Sequence, residues 1–417
     1  MAKRILILSF DALGGKDFEF MKTLPAFEEF FRDASICTNV RSVYPSVTYP
    51  CHVSVVTGKY PKNHGVVDNT LMNPSRLESP DWYWQDRYIK VDTIYDLAID
   101  SGMKVGAFLW PVTGKSRIQY NFPEIFPNRF WDNQIFVSLR NGSPLFLLDL
   151  FRKYKHVLDG IRQPFLDEFV TECVVDTIHR KTPEMMLVHF TDLDTARHEY
   201  GVDSVEARDA ILRLEKRFAR IVSALKDANL YSETVISIFG DHFQLDYANK
   251  VMLNEKLADH GLLSFHDKKI IDWKVMAKSC GGSAYIYFHP SFNDWDGVTD
   301  FLEVLKGDPE NGIERIFSND EAVLAGADPN CAFMLEATDG HVFVDVIGEG
   351  YKGKLADHGY HPTSKNDYKT FFAMSGPGVK KGKRIEEMSL VDIAPTWSKL
   401  LKLELEDVDG IVLDILE

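Results

Sequence analysis

Short apolar runs recur along the chain with polar text between them. RILILSF, KVGAFLW, EMMLVHF, TVISIFG and, late in the chain, KTFFAMSG are each strand-sized and apolar at consecutive positions instead of alternating. A run of that kind suits a strand covered on both faces, as strands of a parallel sheet are. Helical patterns lie between them. The clearest runs from about Ser204 to Asp227, where Val205, Ile211, Leu214, Phe218, Ile221, Val222 and Leu225 form one apolar stripe. Such alternation predicts an α/β domain, a mostly parallel sheet with helices on both faces.

Two regions break the rhythm. Residues 110–162 are aromatic and rich in Pro and Asn, as expected of loops and short helices laid over a site, and they read as a loop or lid insertion. Residues 266–345 carry a separate pattern (SAYIYF, DGVTDFLEVLKG, ERIFS, CAFMLEA, VFVDVI) that reads as a small inserted α+β subdomain. The expected core is therefore 1–265 together with 346–417. At about 150 residues per domain, 417 residues allow that arrangement and a large buried core.

Composition narrows the partners. Lys and Arg number 47 against 62 Asp and Glu, a net charge of −15, which provides no basic footprint for polymeric nucleic acid. The five cysteines are scattered without a C-x-x-C pair, so they predict buried thiols in a reducing compartment and no disulfide framework. The apolar run at the start stops at Asp11, too short for a signal-peptide core, and no stretch approaches the roughly 20 apolar residues of a membrane span. A cytoplasmic protein working without a membrane is the expectation; homodimerisation stays open.

Three of the expected core strands end on acidic residues. RILILSF runs into Asp11, EMMLVHF into T-Asp192-L-Asp194, and TVISIFG into Asp241-His242. Ligands of open α/β sheets bind beyond the carboxyl ends of the strands, and carboxylates clustered there repel one another unless cations offset them. Asp194 and His198 are four apart, on one side of a helical turn, and His358 supplies a further imidazole. Asp192 is a rival for Asp194 and His361 for His358. Asp and His ligands suit zinc, or manganese in an oxygen-rich site, and the set is large enough for two ions.

The stretch YPSVTYPCHVSVVTGKYPKNHGVVDN holds Thr48 between two prolines at an expected helix start and closes on Asn69. Pro50 fits the first turn of such a helix, where its missing N–H is no loss. A threonine hydroxyl becomes a competent nucleophile when a cation and a helix N-terminus stabilise its anion, and Asn69 could donate to a non-bridging phosphoryl oxygen.

This ordered set (F-Asp11, Tyr44 to Asn69, Asp194-x-x-x-His198, Asp241-His242, His358-G-Y, the late S-G-P-G and the terminal SLVDIAPTWSKLL) resembles the nucleotide pyrophosphatase/phosphodiesterase family of the alkaline phosphatase superfamily. The resemblance implies an alkaline-phosphatase-like core and a two-zinc phosphodiesterase acting through a phospho-threonine at Thr48. It implies that Asp194, His198 and His358 bind one ion, that Asp11, Thr48, Asp241 and His242 bind the other, and that Tyr49 stacks on a base of a nucleotide-like small-molecule substrate. Two departures stand out: Arg197 where the family commonly has Gly before the histidine, and FDALGG where many relatives have an Asp-Gly pair. Arg197 is expected to meet a substrate phosphate or face solvent. Phosphonoacetate hydrolysis and phosphomonoester hydrolysis are the alternative activities on the same frame.

Overall fold

The computed structural model describes residues 3–77, 79–348 and 353–417. Met1, Ala2 and Glu78, in the first piece of the expected core, and Glu349, Gly350, Tyr351 and Lys352, in its second piece, lie outside the described residues.

Among the described residues the central sheet has eight strands. In spatial order they are Met388–Ser389, Ser35–Arg41, Thr370–Ser375, Thr234–Phe239, Arg4–Phe10, Met185–Phe190, Val105–Trp110 and Tyr120–Pro123. Arg4–Phe10 is parallel to both its neighbours, and the parallel run continues through Val105–Trp110 to Tyr120–Pro123. Thr370–Ser375 is antiparallel to the strands on either side. Its sequence reads as a buried parallel strand because burial on both faces, not direction, sets that pattern.

Helices cover both faces, each with its own core. One core joins Leu6, Leu8 and Phe10 to Phe27, Phe218 and Ile221; the other joins Ile5, Ile7 and Phe239 to Val55, Val56 and Trp397. Alternate residues of a single strand feed opposite cores, as the period of two requires. The long helix is Val205–Asp227, capped by the Ser204 side chain, which accepts from the Ala207 N–H. Ile211, Leu214, Phe218, Ile221 and Leu225 are buried as its stripe implies. Val205, the first residue of the helix, is exposed.

A second unit follows the last parallel strand. Within 266–345 lies an antiparallel sheet of Val275–Ser279, Ser283–Phe288, Phe333–Ala337 and Ile313–Ser318, with the helix Trp295–Gly307. A three-stranded sheet of Gly340–Phe343, Leu245–Val251 and Ala356–Asp357 draws strands from both sides of those limits. The chain then re-enters the core through His358-Gly359-Tyr360. Gly359 has φ +91°, and a Cβ there would lie 1.7 Å from the Cys280 carbonyl oxygen, so glycine alone permits this close passage.

Within 110–162 lie the helices Gln134–Asn141 and Pro144–Tyr154. The five cysteines are free and buried. Among the described residues no helix is long and apolar enough to cross a membrane.

Candidate active site

Adjacent strands deliver the acidic residues side by side. Phe10 ends the first strand and Asp11 follows, while the neighbouring strands end at Phe190 and Phe239. Ala12 turns the chain sharply with φ +62°, a left-handed conformation unusual for alanine, at the position where the resemblance expects glycine. Its N–H donates to Asp241 Oδ1 at 3.2 Å, and its carbonyl accepts from the Arg197 guanidinium.

Thr48 opens the helix Thr48–Thr57, whose ten residues are all buried and which ends at Gly58 in the left-handed conformation. The Thr48 hydroxyl lies 3.2 Å from His242 Nε2. His242 Nε2 is in turn 3.4 Å from Asp11 Oδ1 and 3.4 Å from Asp241 Oδ2. Among the described residues neither of those buried carboxylate oxygens has a hydrogen-bond partner. Two acceptors and an imidazole nitrogen converging on one point, with no proton donor between them, fit a divalent cation. The protonation tendencies have the same cause. Burial, followed by the charges of Asp194 and Asp241, pushes the Asp11 carboxyl well up, and burial pushes Asp241 up to about 7. A bound cation removes the need for either to stay protonated.

The second group lies alongside. Asp194 Oδ1 is 3.3 Å from His198 Nε2, and Asp194, His242 and His358 also present ligand atoms close enough to share an ion. The His242 and His358 rings are 4.1 Å apart, so the two groups are continuous. Burial holds both imidazoles well below the usual histidine range, which keeps them neutral and able to ligate. His198 Nδ1 is fixed against the Ala356 carbonyl at 2.7 Å, leaving Nε2 to face the site, and Lys354 Nζ stands 3.0 Å from that nitrogen.

The rivals separate cleanly. Asp192 accepts from Arg213 at 2.7 and 2.8 Å and from Arg217 at 2.7 Å, tying the helix Asp192–Tyr200 to the long helix and leaving nothing for the site. His361 packs between Tyr44 and Phe317.

Asn69 reaches the helix start: its Oδ1 accepts from the Tyr49 N–H at 2.8 Å, which leaves its Nδ2 without a protein acceptor among the described residues. Tyr49 departs from expectation. It is 0% exposed and Trp82 packs edge-on against it at 5.2 Å, so neither ring face is open to a base. Trp82 also meets Phe126 at 5.1 Å, and these rings, half-buried, form the outer wall on that side.

Arg197 meets neither a phosphate position nor solvent. It is 1% exposed, pairs with Asp17 at 2.6 Å, donates to the Val202 and Ala12 carbonyls and lies 4.8 Å over the Phe243 ring. The two sequence departures thus meet, because the guanidinium of Arg197 secures the strained carbonyl of Ala12. A glycine at position 12 would need no such brace.

Other residues at the site carry little local signal. His189 Nε2 lies 3.1 Å from Asp11 Oδ2, and its Nδ1 faces Glu124 at 3.6 Å; burial opposes its charge, but these carboxylates raise it well above the ordinary value. His52 accepts or donates between the Thr48 carbonyl and Ser9 at 2.8 and 2.9 Å. Gln244 Nε2 donates to Asp194 Oδ1 at 2.5 Å, and Asp357 Oδ1 receives the His358 N–H at 3.0 Å. A histidine inside the otherwise apolar MMLVHF strand and another one turn after Thr48 were the available hints.

A family model described as type I phosphodiesterase / nucleotide pyrophosphatase matches residues 5–361. Ectonucleotide pyrophosphatase/phosphodiesterase family member 1 of Homo sapiens is 27% identical over 266 residues, covering 60% of this chain and 25% of that protein. Venom phosphodiesterase 2 of Crotalus adamanteus is 24% identical over 213 residues, covering 49% of this chain and 22% of that protein. These alignments span about a quarter of the relatives' length. The solved murine ectonucleotide pyrophosphatase / phosphodiesterase 5 superposes with a TM-score of 0.72 at 18% identity, covering 100% of both chains. An inactive threonine-to-alanine form of that murine protein, in complex with AMP, superposes with a TM-score of 0.71. At such identity the likeness shows the fold, which is alkaline-phosphatase-like.

Proposed function

This chain belongs to the type I phosphodiesterase / nucleotide pyrophosphatase family, and from that premise we propose that it hydrolyses phosphodiester or diphosphate bonds of nucleotide-like small molecules. The observation that carries the reading is the Thr48 hydroxyl at a helix start, 3.2 Å from His242 and beside carboxylate oxygens that have no hydrogen-bond partner among the described residues. The murine relative described as inactive with its threonine replaced by alanine, and bound to AMP, supports the same assignment.

In the proposed reaction Thr48 Oγ attacks phosphorus. Its O–P bond forms as the bond to the leaving-group oxygen breaks, the hydroxyl proton is lost, and a phospho-threonine remains. Water then attacks the same phosphorus, the Thr48 O–P bond breaks, the hydroxyl recovers a proton, and a phosphate monoester leaves. Asp11, Asp241 and His242 would hold one divalent cation next to Thr48, and Asp194, His198 and His358 a second. When bound, these ions, with zinc favoured by the Asp/His donor set, lower the pKa of the hydroxyl and offset charge on the phosphoryl oxygens. Asn69 Nδ2, freed by the bond its Oδ1 makes, donates to a non-bridging oxygen. The Thr48–Thr57 helix adds its N-terminal field at the same place.

The buried position of Arg197 favours a diester over a monoester. A monoester dianion needs more positive charge around its free oxygens, and this guanidinium is turned away and paired with Asp17. The test is a paired assay on zinc-loaded protein with p-nitrophenyl thymidylate and p-nitrophenyl phosphate. A clear diester preference abolished by chelator is expected. Preference for the monoester, or zinc-bound protein inert on both, would send the assignment to the phosphomonoesterase or phosphonoacetate hydrolase alternative.

A further inference from the structure

A lysine sits in the strand Val275–Ser279 of the inserted unit, whose first four residues are buried. That strand and Ser283–Phe288 form an antiparallel hairpin in which Lys278 stands directly opposite Tyr285, so the two side chains project from one face. Both reach the segment that carries Asn69. Lys278 Nζ lies 2.9 Å from Asp68 Oδ2, and the Tyr285 hydroxyl donates to the Val67 carbonyl at 3.1 Å. We infer that Lys278 is a positioning residue for phosphoryl transfer: through Asp68 it holds Asn69 where its amide meets a non-bridging phosphoryl oxygen. The inference rests on Asn69 acting as that donor.

Asp68 has a separate contact for each carboxylate oxygen. Its Oδ1 accepts the Asn69 N–H at 2.8 Å, while Oδ2 meets Lys278 and accepts from the Thr70 hydroxyl at 3.3 Å. One carboxylate thus links the ammonium to the backbone of Asn69. The rest of Asn69 is fixed by its Oδ1, which receives the Tyr49 N–H, and by its carbonyl, which receives the Tyr83 N–H at 3.1 Å. With those bonds made, the placement of Nδ2 follows from the backbone that Asp68 steadies.

Lys278 is 7% exposed and Asp68 4%. Burial opposes the charge of Lys278, but Asp345, 2.8 Å away, and Asp68 raise its pKa well above the ordinary lysine value. Replacing a buried ion pair with apolar residues of similar volume is often neutral or stabilising, so stability alone gives no reason for a charged cluster at this junction. Fixed geometry does. Asp345 Oδ1 also takes the Ser279 N–H at 2.5 Å, and Gly282, at the hairpin turn, donates its N–H to the His358 carbonyl at 2.7 Å. Anchored beside His358 at its turn, the hairpin is a rigid mount from which Lys278 reaches Asp68.

The experiment is a double-mutant cycle on the zinc-loaded full chain, with p-nitrophenyl thymidylate as substrate and Lys278→Met crossed with Asn69→Ala. Lys278→Met is expected to lower kcat and kcat/KM together by about 10–100-fold, the effect of displacing a group that acts in the transition state. Zinc affinity, read by chelator competition, should be unchanged, since among the described residues Lys278 bonds to none of the expected ligands. In the Asn69→Ala background the same substitution should change kcat by less than about twofold. Asp68→Asn is the milder variant, because the single oxygen left can serve Lys278 or the Asn69 N–H but not both. It should lower kcat in the same way, be equally silent beside Asn69→Ala, and keep the cycle readable should Lys278→Met not fold. Hydrogen exchange needs no turnover: the amides of residues 67–70 should exchange at least about tenfold faster in either variant, with the Thr48–Thr57 helix unchanged. Additive losses in the cycle, or exchange at 67–70 that stays at the wild-type rate, overturn the inference. Wild-type protein without diesterase activity would count against the proposed reaction instead, and the exchange rates would still decide whether Lys278 holds Asn69.

Discussion

Replacing Arg197 with methionine keeps most of the side-chain stem and removes the guanidinium from a site where it is 1% exposed. Asp17, 2.6 Å away and itself buried, would lose its counter-charge, and the Ala12 and Val202 carbonyls would lose a donor. Breaking a buried pair by removing one partner costs about 3–5 kcal/mol, because the other charge stays behind. For 417 residues the unfolding entropy is roughly 0.9 kcal/mol per degree, so a loss of about 4 kcal/mol lowers Tm by about 4–5 °C. Urea unfolding and a thermal scan measure both quantities, and Asp17→Asn in the Arg197→Met background should recover part of the loss by removing the stranded charge. Salt should matter little, since a buried pair is poorly screened. A cost below about 1 kcal/mol, or no recovery in the double variant, would refute the bracing role. A raised KM with unchanged stability would instead place the guanidinium on substrate.

Thr48→Ala should lower turnover by at least about 10³-fold while zinc affinity, read by chelator competition, changes by only a few-fold, because side chains of other residues still hold the ion; full retention of diesterase activity would remove the covalent route. Gln244→Leu frees the Asp194 carboxylate it steadies at 2.5 Å, and zinc affinity should fall about 10–100-fold, the usual effect of losing an outer partner; unchanged affinity would show Asp194 is oriented otherwise. Glu336 is buried and its carboxyl is pushed from 4.5 up to about 7, by burial first. The folded state holds that proton more tightly than the unfolded chain, so the group's contribution is full below about pH 4.5 and is lost as pH rises through about 7, an effect of about 3 kcal/mol. Wild-type unfolding free energy should therefore decline more steeply with pH across that window than that of Glu336→Met, and equal slopes would count against it.

Much of the architecture was legible one segment at a time. The Arg4–Phe10, Met185–Phe190 and Thr234–Phe239 strands, the helix capped by Ser204 and the helix opening at Thr48 follow from periodicity, capping chemistry and proline's tolerance of a first turn, all local properties. The residue types suited to metal ligation were visible for the same reason, since acidic groups following apolar strands mark the carboxyl edge of a sheet. The structure alone decided what each charged group faces. Asp192 and Asp194 differ by two positions on one short helix, and only the arrival of Arg213 and Arg217 from the long helix commits Asp192 to packing. Tyr49 is hidden because Trp82 crosses it from another loop, and His189 and Gln244 join the site through neighbours far away in sequence. The direction of Thr370–Ser375 left no mark either, because a strand buried on both faces has the same composition whichever way it runs. Local patterns record what a residue prefers, whereas contact partners, and with them charge state and role, are set by long-range packing that one strand of sequence does not contain.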